Sequence, residues 1–161
     1  MRYTVLMNTA KTLSWFNIFF FASYHLVFFV LTPVYFFTYT WSTPAALLGI
    51  FLYTVSMFGV TGGYHRFFSH RTYQAVPMVE IFYLLLGCLS MTGSAARWSQ
   101  DHRLHHAKTD TLEDPYSIKR GFWFAHIGWL FTAYESPVDP SKIPDLWSSR
   151  WVRLQDKYYL W

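Results

Sequence analysis

The chain has 161 residues, of which 53% are hydrophobic, 22% are aromatic and only 14% are charged, with a formal net charge of +4. A typical soluble domain is about a quarter charged, whereas no Asp, Glu, Lys or Arg occurs between Lys11 and Arg66. This composition excludes an ordinary soluble domain and indicates an integral membrane protein. The basic residues form no stripe interleaved with aromatic residues, so nucleic acid is not among the expected partners.

Two apolar segments are predicted to cross the bilayer, which takes about 20 apolar residues per helix. The first covers residues 13–37, and Pro33 in its final third predicts a kink or an early end. The second covers residues 45–62 and follows Pro44, which suits a first helical turn. Because the link between them is short, residues 1–62 are predicted to form an antiparallel transmembrane hairpin.

The basic residues that flank this hairpin predict its orientation. Arg2 and Lys11 precede the first span, Arg66 and Arg71 follow the second, and the link carries no charge. The positive-inside rule then places both ends of the hairpin on the cytoplasmic side. The endoplasmic reticulum and the bacterial inner membrane are both compatible with this arrangement.

A third apolar stretch, residues 81–96, is shorter than a normal span and ends in small polar residues. If it crossed the bilayer, the histidine clusters before and after it would lie on opposite faces. We therefore expect an interfacial or protein-covered helix that returns to the cytoplasmic side. The predicted fold class is all-α: a membrane hairpin followed by a helical cytoplasmic cap over residues 63–161.

Five of the seven histidines fall in two clusters. The first box, "HRFFSH", contains His65 and His70, and the second box, "DHRLHH", contains His102, His105 and His106. Residues three and four apart share one helix face, so the second box presents its imidazoles in one direction. Imidazole binds zinc, copper, iron and nickel, and spacing alone does not choose among them. A three-histidine zinc site is also compatible with the second box.

The spacing of the first box differs from that of the second. His65 and His70 are five residues apart, which is roughly 140° around an α-helix of 3.6 residues per turn. Their imidazoles converge only if the helix unwinds near them, or else they bind two different ions. Gly62 and Gly63, just upstream, are compatible with such a break in the helix.

Three blocks carry a resemblance to a known family: "GYHRFFSHRTYQA", "GSAARWSQDHRLHHAKTDTLEDPYSIKRGFWFAHIGWLF" and "RLQDKYYL". They resemble the membrane-bound acyl-CoA desaturases of the stearoyl-CoA type, from about residue 59 to the last residue. The resemblance implies a cytoplasmic centre of two iron ions held almost wholly by histidine, with no catalytic residues beyond the metal ligands. The implied ligands in this chain are His65, His70, His102, His105 and His106.

The resemblance also implies a reaction and its partners. A cis double bond is inserted into a saturated acyl chain with dioxygen, and electrons come from a donor such as a b-type cytochrome or a ferredoxin. The implied substrate is an acyl-CoA or an acyl-lipid, and membrane lipid is a further expected partner. Iron fits this chemistry, because zinc has no redox chemistry with which to oxidise an unactivated C–H bond.

Further residues are expected to contact the substrate or to support the metal ligands. Trp98 and Asp101 match family residues near the bend of the substrate tunnel, and Gln100 stands where animal members often have arginine. Asp114 is placed to accept a hydrogen bond from a ligand imidazole and so fix its tautomer. His126 matches the histidine of the family's "HxGW" block, for which we expect a supporting or packing role.

Two departures from the family pattern keep alternatives open. The basic residues that usually follow "GW" are missing after Gly128 and Trp129, where the sequence reads "LFTAYES", so an acyl-lipid substrate stays possible. The family continues into two more transmembrane helices and a third histidine box. We therefore expect an N-terminal fragment, truncated before the last transmembrane helices. A lipid hydroxylase of the same superfamily and an inactive membrane fragment are the alternative functions.

The remaining charged residues are predicted to be structural. Arg66 and Arg103 are expected to pair with carboxylates or lipid phosphates. Asp139, Lys142 and Asp145 are expected to lie in a solvated loop.

Overall fold

The structure is a computed structural model that describes residues 12–132 and 137–159. Those residues form helices, turns and one isolated β-bridge, which confirms the predicted all-α class. The helices are α1 (Trp15–Thr38), α2 (Thr43–Phe58), a π-helix (Gly59–Ser69), α3 (Pro77–Cys88), α4 (Ala95–Lys108), α5 (Phe122–His126), α6 (Pro144–Trp147) and α7 (Arg150–Tyr158). Short 3₁₀ turns occupy Ile118–Arg120, Gly128–Phe131 and Pro140–Lys142.

The chain divides into two compact units, Met1–Thr40 with Ile118–Pro137 and Trp41–Ser117 with Val138–Trp161. The predicted hairpin has one span in each unit and stays a prediction. Its orientation rested partly on Arg2 and Lys11, which lie outside the described residues.

The first unit is built on α1, which confirms a long apolar helix over the first predicted span. The helix begins where Ser14 Oγ accepts a hydrogen bond from the Asn17 amide at 3.3 Å. It continues past Pro33 to Thr38, so the proline does not end it early. Its 24 residues extend about 36 Å, more than the roughly 30 Å of a bilayer core.

The start of α1 is attached to the segment that follows α5. Asn17 Nδ2 donates to the Leu130 carbonyl at 2.7 Å, and the Ser14 amide donates to the Phe131 carbonyl at 2.8 Å. The rings of Phe21 and Phe131 meet edge to face with centroids 5.9 Å apart. This contact joins the apolar helix to the "HxGW" segment within one unit.

The second unit begins with α2, which is capped by Ser42 and has Pro44 in its first turn, as expected. The helix continues beyond the predicted end of this span at residue 62, as the π-helix to Ser69, and where the span leaves the bilayer stays a prediction. The combined helix Thr43–Ser69 has 27 residues and is apolar enough to cross a membrane. Gly62 and Gly63 lie where the helix is unwound into π geometry without ending, and both also pack closely against Tyr83 of α3.

Close contact between the π-helix and α3 depends on glycine. A Cβ atom on Gly87 would lie 2.1 Å from the ring of Tyr64, and one on Gly59 would lie 2.6 Å from the Leu86 backbone. Real Cβ atoms do not approach other atoms so closely, so each glycine lets the two helix backbones approach. The buried core then forms around this contact, with Tyr64, Phe67, Phe68, Tyr83, Leu84, Ala95, Ala96, Ile143, Leu146 and Val152.

The single helix predicted over residues 81–96 is wrong in its bounds. Helix α3 ends at Cys88, and α4 begins at Ala95. The break has a local cause: Gly93 adopts a φ of 97°, and Ser94 Oγ then caps α4 by accepting from the Arg97 amide at 3.1 Å. The 12 residues of α3 extend about 18 Å, which is too short to cross the bilayer core.

Helix α7 is held to α3 and α4 by one glutamine. Gln155 Nε2 donates to the Tyr64 hydroxyl at 2.7 Å and to the Leu84 carbonyl at 2.9 Å. Its Oε1 accepts from the Ala95 amide at 2.9 Å, which is one of the unpaired amides at the start of α4. The helix that carries the second histidine box is thereby fixed at its first turn.

We predict that Gly87→Ala destabilises the second unit by about 1–3 kcal/mol, because the added methyl group has to displace the Tyr64 ring. Gly49→Ala in α2 is the matched control, since a Cβ there has nothing within 4 Å. Thermal unfolding of the full chain in detergent, followed by circular dichroism, checks the difference. Equal unfolding temperatures for the two variants would contradict the close contact.

Candidate metal centre

The first box lies on the π-helix, and this explains how its two histidines meet. The His70 amide donates to the His65 carbonyl at 3.0 Å, a hydrogen bond between residues five apart. Such bonding widens the helix and brings residues five apart onto one face. The two imidazole centroids are 4.6 Å apart. Of the two alternatives given by the sequence, the local unwinding is therefore present.

Both boxes contribute to one cluster, called here the four-histidine group: His65, His70, His102 and His106. One ring nitrogen from each residue can be chosen so that all lie within 4.8 Å of one another. His70 Nε2 is 3.0 Å from His102 Nε2, which is 3.1 Å from His106 Nε2. Because the boxes meet, the segment between them has its two ends close together, and its return to the cytoplasmic side of the bilayer stays a prediction.

Two imidazoles of the group, those of His70 and His102, are kept neutral by their surroundings. Burial, followed by the neighbouring imidazoles, lowers the pKa of His102 to about 4. His70 is exposed, but partial loss of hydration beside its neighbours lowers its pKa, and nearby His65, His106 and Arg103 act in the same direction. A neutral imidazole has a lone pair, so these two rings are ready to bind a metal ion at pH 7.

The nitrogen positions fit a transition-metal ion better than they fit hydrogen bonds. Each Nε2 has one in-plane position, which holds either a hydrogen or a lone pair. His102 Nε2 therefore cannot form good hydrogen bonds to both His70 and His106. Two imidazoles at right angles around an ion, each at about 2.1 Å, would have nitrogens about 3.0 Å apart. The observed separations match this arrangement, and the all-imidazole donor set suits iron, zinc, copper or nickel.

His105 lies beside the four-histidine group, with its ring centroid 6.5 Å from that of His102. Its Nδ1 is 2.9 Å from Asp114 Oδ1, the hydrogen bond that the sequence analysis expected. Asp114 is only 1% exposed and also accepts the amides of Tyr116 and Asp110. A carboxylate accepts, so Nδ1 of His105 holds the proton and Nε2 has the lone pair when the ring is neutral.

The charge state of Asp114 follows from these contacts. Burial acts to raise the pKa of the Asp114 carboxyl, but the hydrogen bonds from His105, Tyr116 and Asp110 outweigh burial and lower it. The carboxyl is therefore ionised at pH 7 and fixes the orientation of the His105 ring.

The residues assigned to substrate lie on α4. Trp98 stacks on His102 with centroids 4.6 Å apart and also meets His65 edge to face at 6.1 Å. Gln100 and Asp101 are buried, and Gln100 Oε1 accepts from the Asp139 amide at 2.7 Å. Trp98 is thus beside the four-histidine group, whereas Gln100 holds the loop before α6.

His126 ends α5 in the first unit. Its Nδ1 donates to the Phe122 carbonyl at 2.8 Å, and its ring stacks on the Phe122 ring at 4.0 Å. These contacts fix the tautomer of a neutral ring, with the lone pair on Nε2. The supporting role expected for His126 stays a prediction.

Two arginines that follow histidines of the group meet at one carboxylate. Arg103 Nη1 and Nη2 donate to the two oxygens of Asp145, both at 2.8 Å, and Arg71 Nε lies 3.3 Å from Asp145 Oδ2. Arg103 also donates to the carbonyls of Ser69 at 2.9 Å and Phe68 at 2.8 Å. The predicted pairing of Arg103 with a carboxylate is confirmed, and the solvated-loop prediction for Asp145 is wrong.

Asp145 is the residue near the site that the sequence analysis missed. A weak signal was present, because Asp145 follows Pro144 as an acidic residue in a first helical turn. However, 42 residues separate it from Arg103, and no spacing rule connects positions so far apart. The pairing depends on the tertiary fold.

Comparison with known proteins identifies the family. Residues 40–159 match the family model described as fatty acid desaturase. The chain belongs to the fatty acid desaturase family. Both histidine boxes of this desaturase family member, and the helices that bring them together, lie within the matched residues.

Similar proteins come from fungi and animals. The chain is 40% identical over 118 residues to acyl-CoA desaturase 1 of Saccharomyces cerevisiae, covering 71% of this chain and 22% of that protein. It is 35% identical over 125 residues to the stearoyl-CoA desaturase of Homo sapiens, covering 75% and 33%. It is 34% identical over 148 residues to the acyl-CoA Delta(11) desaturase of Spodoptera littoralis, covering 89% and 43%. The chain thus spans less than half of each of these relatives.

We predict that Asp114→Asn lowers the free energy of unfolding by about 1–3 kcal/mol, because an amide NH₂ replaces one oxygen that accepts a buried N–H. Glu113→Gln is the matched control, since Glu113 is exposed and its carboxylate pairs with the exposed Lys108. Glu113→Gln should change the free energy of unfolding by no more than about 0.5 kcal/mol. Unfolding of both variants in detergent checks this, and equal losses would contradict it.

The contribution of Asp145 to stability should depend on pH. Hydrogen bonding to Arg103 lowers the pKa of Asp145 more than burial raises it, and the charges of Arg103 and Arg71 add to the lowering. A carboxyl whose folded pKa lies below its unfolded value of about 3.9 stabilises fully above that value and loses the effect as pH falls through the folded pKa. The unfolding temperatures of wild type and Asp145→Asn should therefore differ equally at pH 7 and 5 and converge towards pH 3. A difference that persists unchanged at pH 3 would contradict this.

Proposed function

We propose that the protein that contains this chain is an oxygen-dependent fatty acyl desaturase with an acyl-CoA as its preferred substrate. The observation that supports this proposal is the four-histidine group, built from both boxes in a member of the fatty acid desaturase family. Two of the similar proteins are named for acyl-CoA and stearoyl-CoA. We place the protein in the endoplasmic reticulum or bacterial inner membrane, with both boxes on the cytoplasmic side.

In the proposed reaction the acyl chain is oxidised, and dioxygen also needs electrons from a separate donor. Two hydrogens leave adjacent carbons of the acyl chain, and a cis double bond forms between those carbons. Dioxygen takes up these two hydrogens together with two electrons and two protons, which gives two water molecules. The two electrons come from a b-type cytochrome or a ferredoxin.

The four-histidine group is proposed to hold iron through ring nitrogens of His65, His70, His102 and His106. Bound iron supplies, with dioxygen, the oxidising power that attacks an unactivated C–H bond. His105 presents its Nε2 lone pair from outside the group, so we assign it to the second of two ions. The remaining ligands of that second ion belong to the third histidine box that the resemblance implies.

Residues of this chain also position the acyl group. Trp98 stacks on His102 and gives the four-histidine group an apolar side against which an acyl chain can lie. Burial of the neighbouring Ser99, Gln100 and Asp101 gives α4 a fixed position in the core. An acyl substrate partitions into the bilayer, which is consistent with a site at the end of the long apolar helix Thr43–Ser69.

Replacement of a histidine tests this function. His102→Ala in the full natural protein should abolish formation of unsaturated fatty acids in a host that lacks its own acyl-CoA desaturase, because His102 Nε2 lies 3.0 Å from His70 Nε2 and 3.1 Å from His106 Nε2. His25→Ala is the matched control: His25 lies within α1 and donates Nδ1 to the Phe21 carbonyl. Gas chromatography of the fatty acids measures the product, and the membrane fraction is checked for equal protein.

The outcome separates this proposal from its alternatives. A double bond supports the desaturase, and an alcohol would assign the protein to the lipid hydroxylases. Unchanged product in His102→Ala would overturn the role of the four-histidine group. No product from the wild-type protein would favour an inactive membrane protein.

A further inference from the structure

The two histidine boxes are joined through Asp145, a residue of neither box. Arg71 directly follows His70, the last residue of the first box, and Arg103 directly follows His102 within the second box. Both arginines reach the same carboxylate, Arg103 through two hydrogen bonds of 2.8 Å and Arg71 at 3.3 Å. The carboxylate therefore ties together the two chain positions next to the metal-binding imidazoles.

Arg103 also binds the end of the helix that carries the first box. Its Nε and Nη2 donate to the carbonyls of Ser69 and Phe68, which belong to the last turn of the π-helix. Carbonyls at the end of a helix lack partners within the helix and form the negative end of its dipole, so a guanidinium is well suited to them. One planar side chain thus connects α4, the π-helix and Asp145, which lysine with a single ammonium cannot reproduce.

The position of Asp145 is itself fixed by the core. Its neighbours along the chain, Ile143 and Leu146, are 0% and 1% exposed. The Ser148 hydroxyl donates to the Asp145 carbonyl at 2.8 Å, within the turn of α6. A carboxylate held in this way can set the position of the arginines, rather than follow them.

Without the carboxylate, two cationic side chains would lie next to the histidine boxes with their shared counter-charge removed. Repulsion between Arg71 and Arg103 would then favour separation of the last turn of the π-helix from α4. The contact of 3.0 Å between His70 and His102 crosses this junction. A small separation there changes the distance between two ligands of one ion.

We propose that Asp145 is a positioning residue that holds the two histidine boxes at metal-binding distance by pairing with Arg103 and Arg71. The inference rests on the proposed metal-binding function of the four-histidine group. It differs from a general stabilising role, because it links a carboxylate that touches no histidine to the affinity and geometry of the bound ion.

The test compares wild type, Asp145→Asn and the matched control Asp139→Asn, all as the full chain in detergent or lipid nanodiscs. Asp139 is an acidic residue shortly before α6, whereas Asp145 lies in its first turn, and the Asp139 carboxylate accepts from Ser141 and lies 3.8 Å from Lys142. Cobalt(II) serves as the probe, since its visible absorption bands report both affinity and coordination. Hydrogen exchange of residues 66–72, which include the amides of His70 and Thr72, gives a measurement that needs no metal.

We expect Asp145→Asn to weaken cobalt binding by roughly tenfold or more, to shift the absorption bands and to speed exchange over residues 66–72. Asp139→Asn should match wild type in all three measurements. Arg103→Lys is a second variant in case Asp145→Asn does not fold. It keeps the positive charge but loses the forked guanidinium that binds both oxygens of Asp145, so it should also weaken cobalt binding.

If Asp145→Asn and Arg103→Lys both keep the cobalt affinity, the absorption bands and the hydrogen-exchange rates of the wild-type chain, the positioning role is overturned. A wild-type chain that binds no cobalt would instead overturn the proposed metal site. Faster exchange over residues 66–72 in Asp145→Asn would then still support the positioning of the boxes by Asp145. The two proposals therefore fail by different measurements.

Discussion

The hydrogen bond from the His70 amide to the His65 carbonyl is the constraint on which the site depends. In an ordinary α-helix these two residues would face directions roughly 140° apart, and no single ion could bind both. In the π-helix the two residues lie on one face, and their imidazole centroids are 4.6 Å apart. Eleven residues adopt this geometry, far more than a single-turn bulge, and such helices are frequent at functional sites.

The wide helix depends in turn on its contact with α3. Gly59 and Gly87 allow backbones to approach to distances at which any Cβ would collide, and the aromatic rings of Tyr64, Phe67 and Tyr83 fill the space around them. Burial of this aromatic core contributes the free energy that a less common helix geometry requires. The second box then meets the first through α4, which Gln155 and Ser94 fix at its first turn.

Much of the fold could be predicted from local patterns. Uninterrupted apolar sequence identified both long helices, and the three-and-four spacing of the second box placed its histidines on one face. The ends of elements were less accurate, because Gly62 and Gly63 suit a break and a close helix contact equally well. The hydrogen bond between His105 and Asp114 could be predicted, because only nine residues separate them. The ion pairs of Asp145 could not be predicted, since only folding brings its partners to it.

The exposure of His70 and His106 has a practical consequence. Nickel and copper bind imidazole sites more tightly than ferrous iron does, and both rings are accessible from the surroundings. A nickel-charged column would retain this chain through its own imidazoles, without any added polyhistidine tag. The ion found in a purified sample would then reflect the resin and the buffers rather than the cell, so purification by a method free of immobilised metal preserves the native occupant.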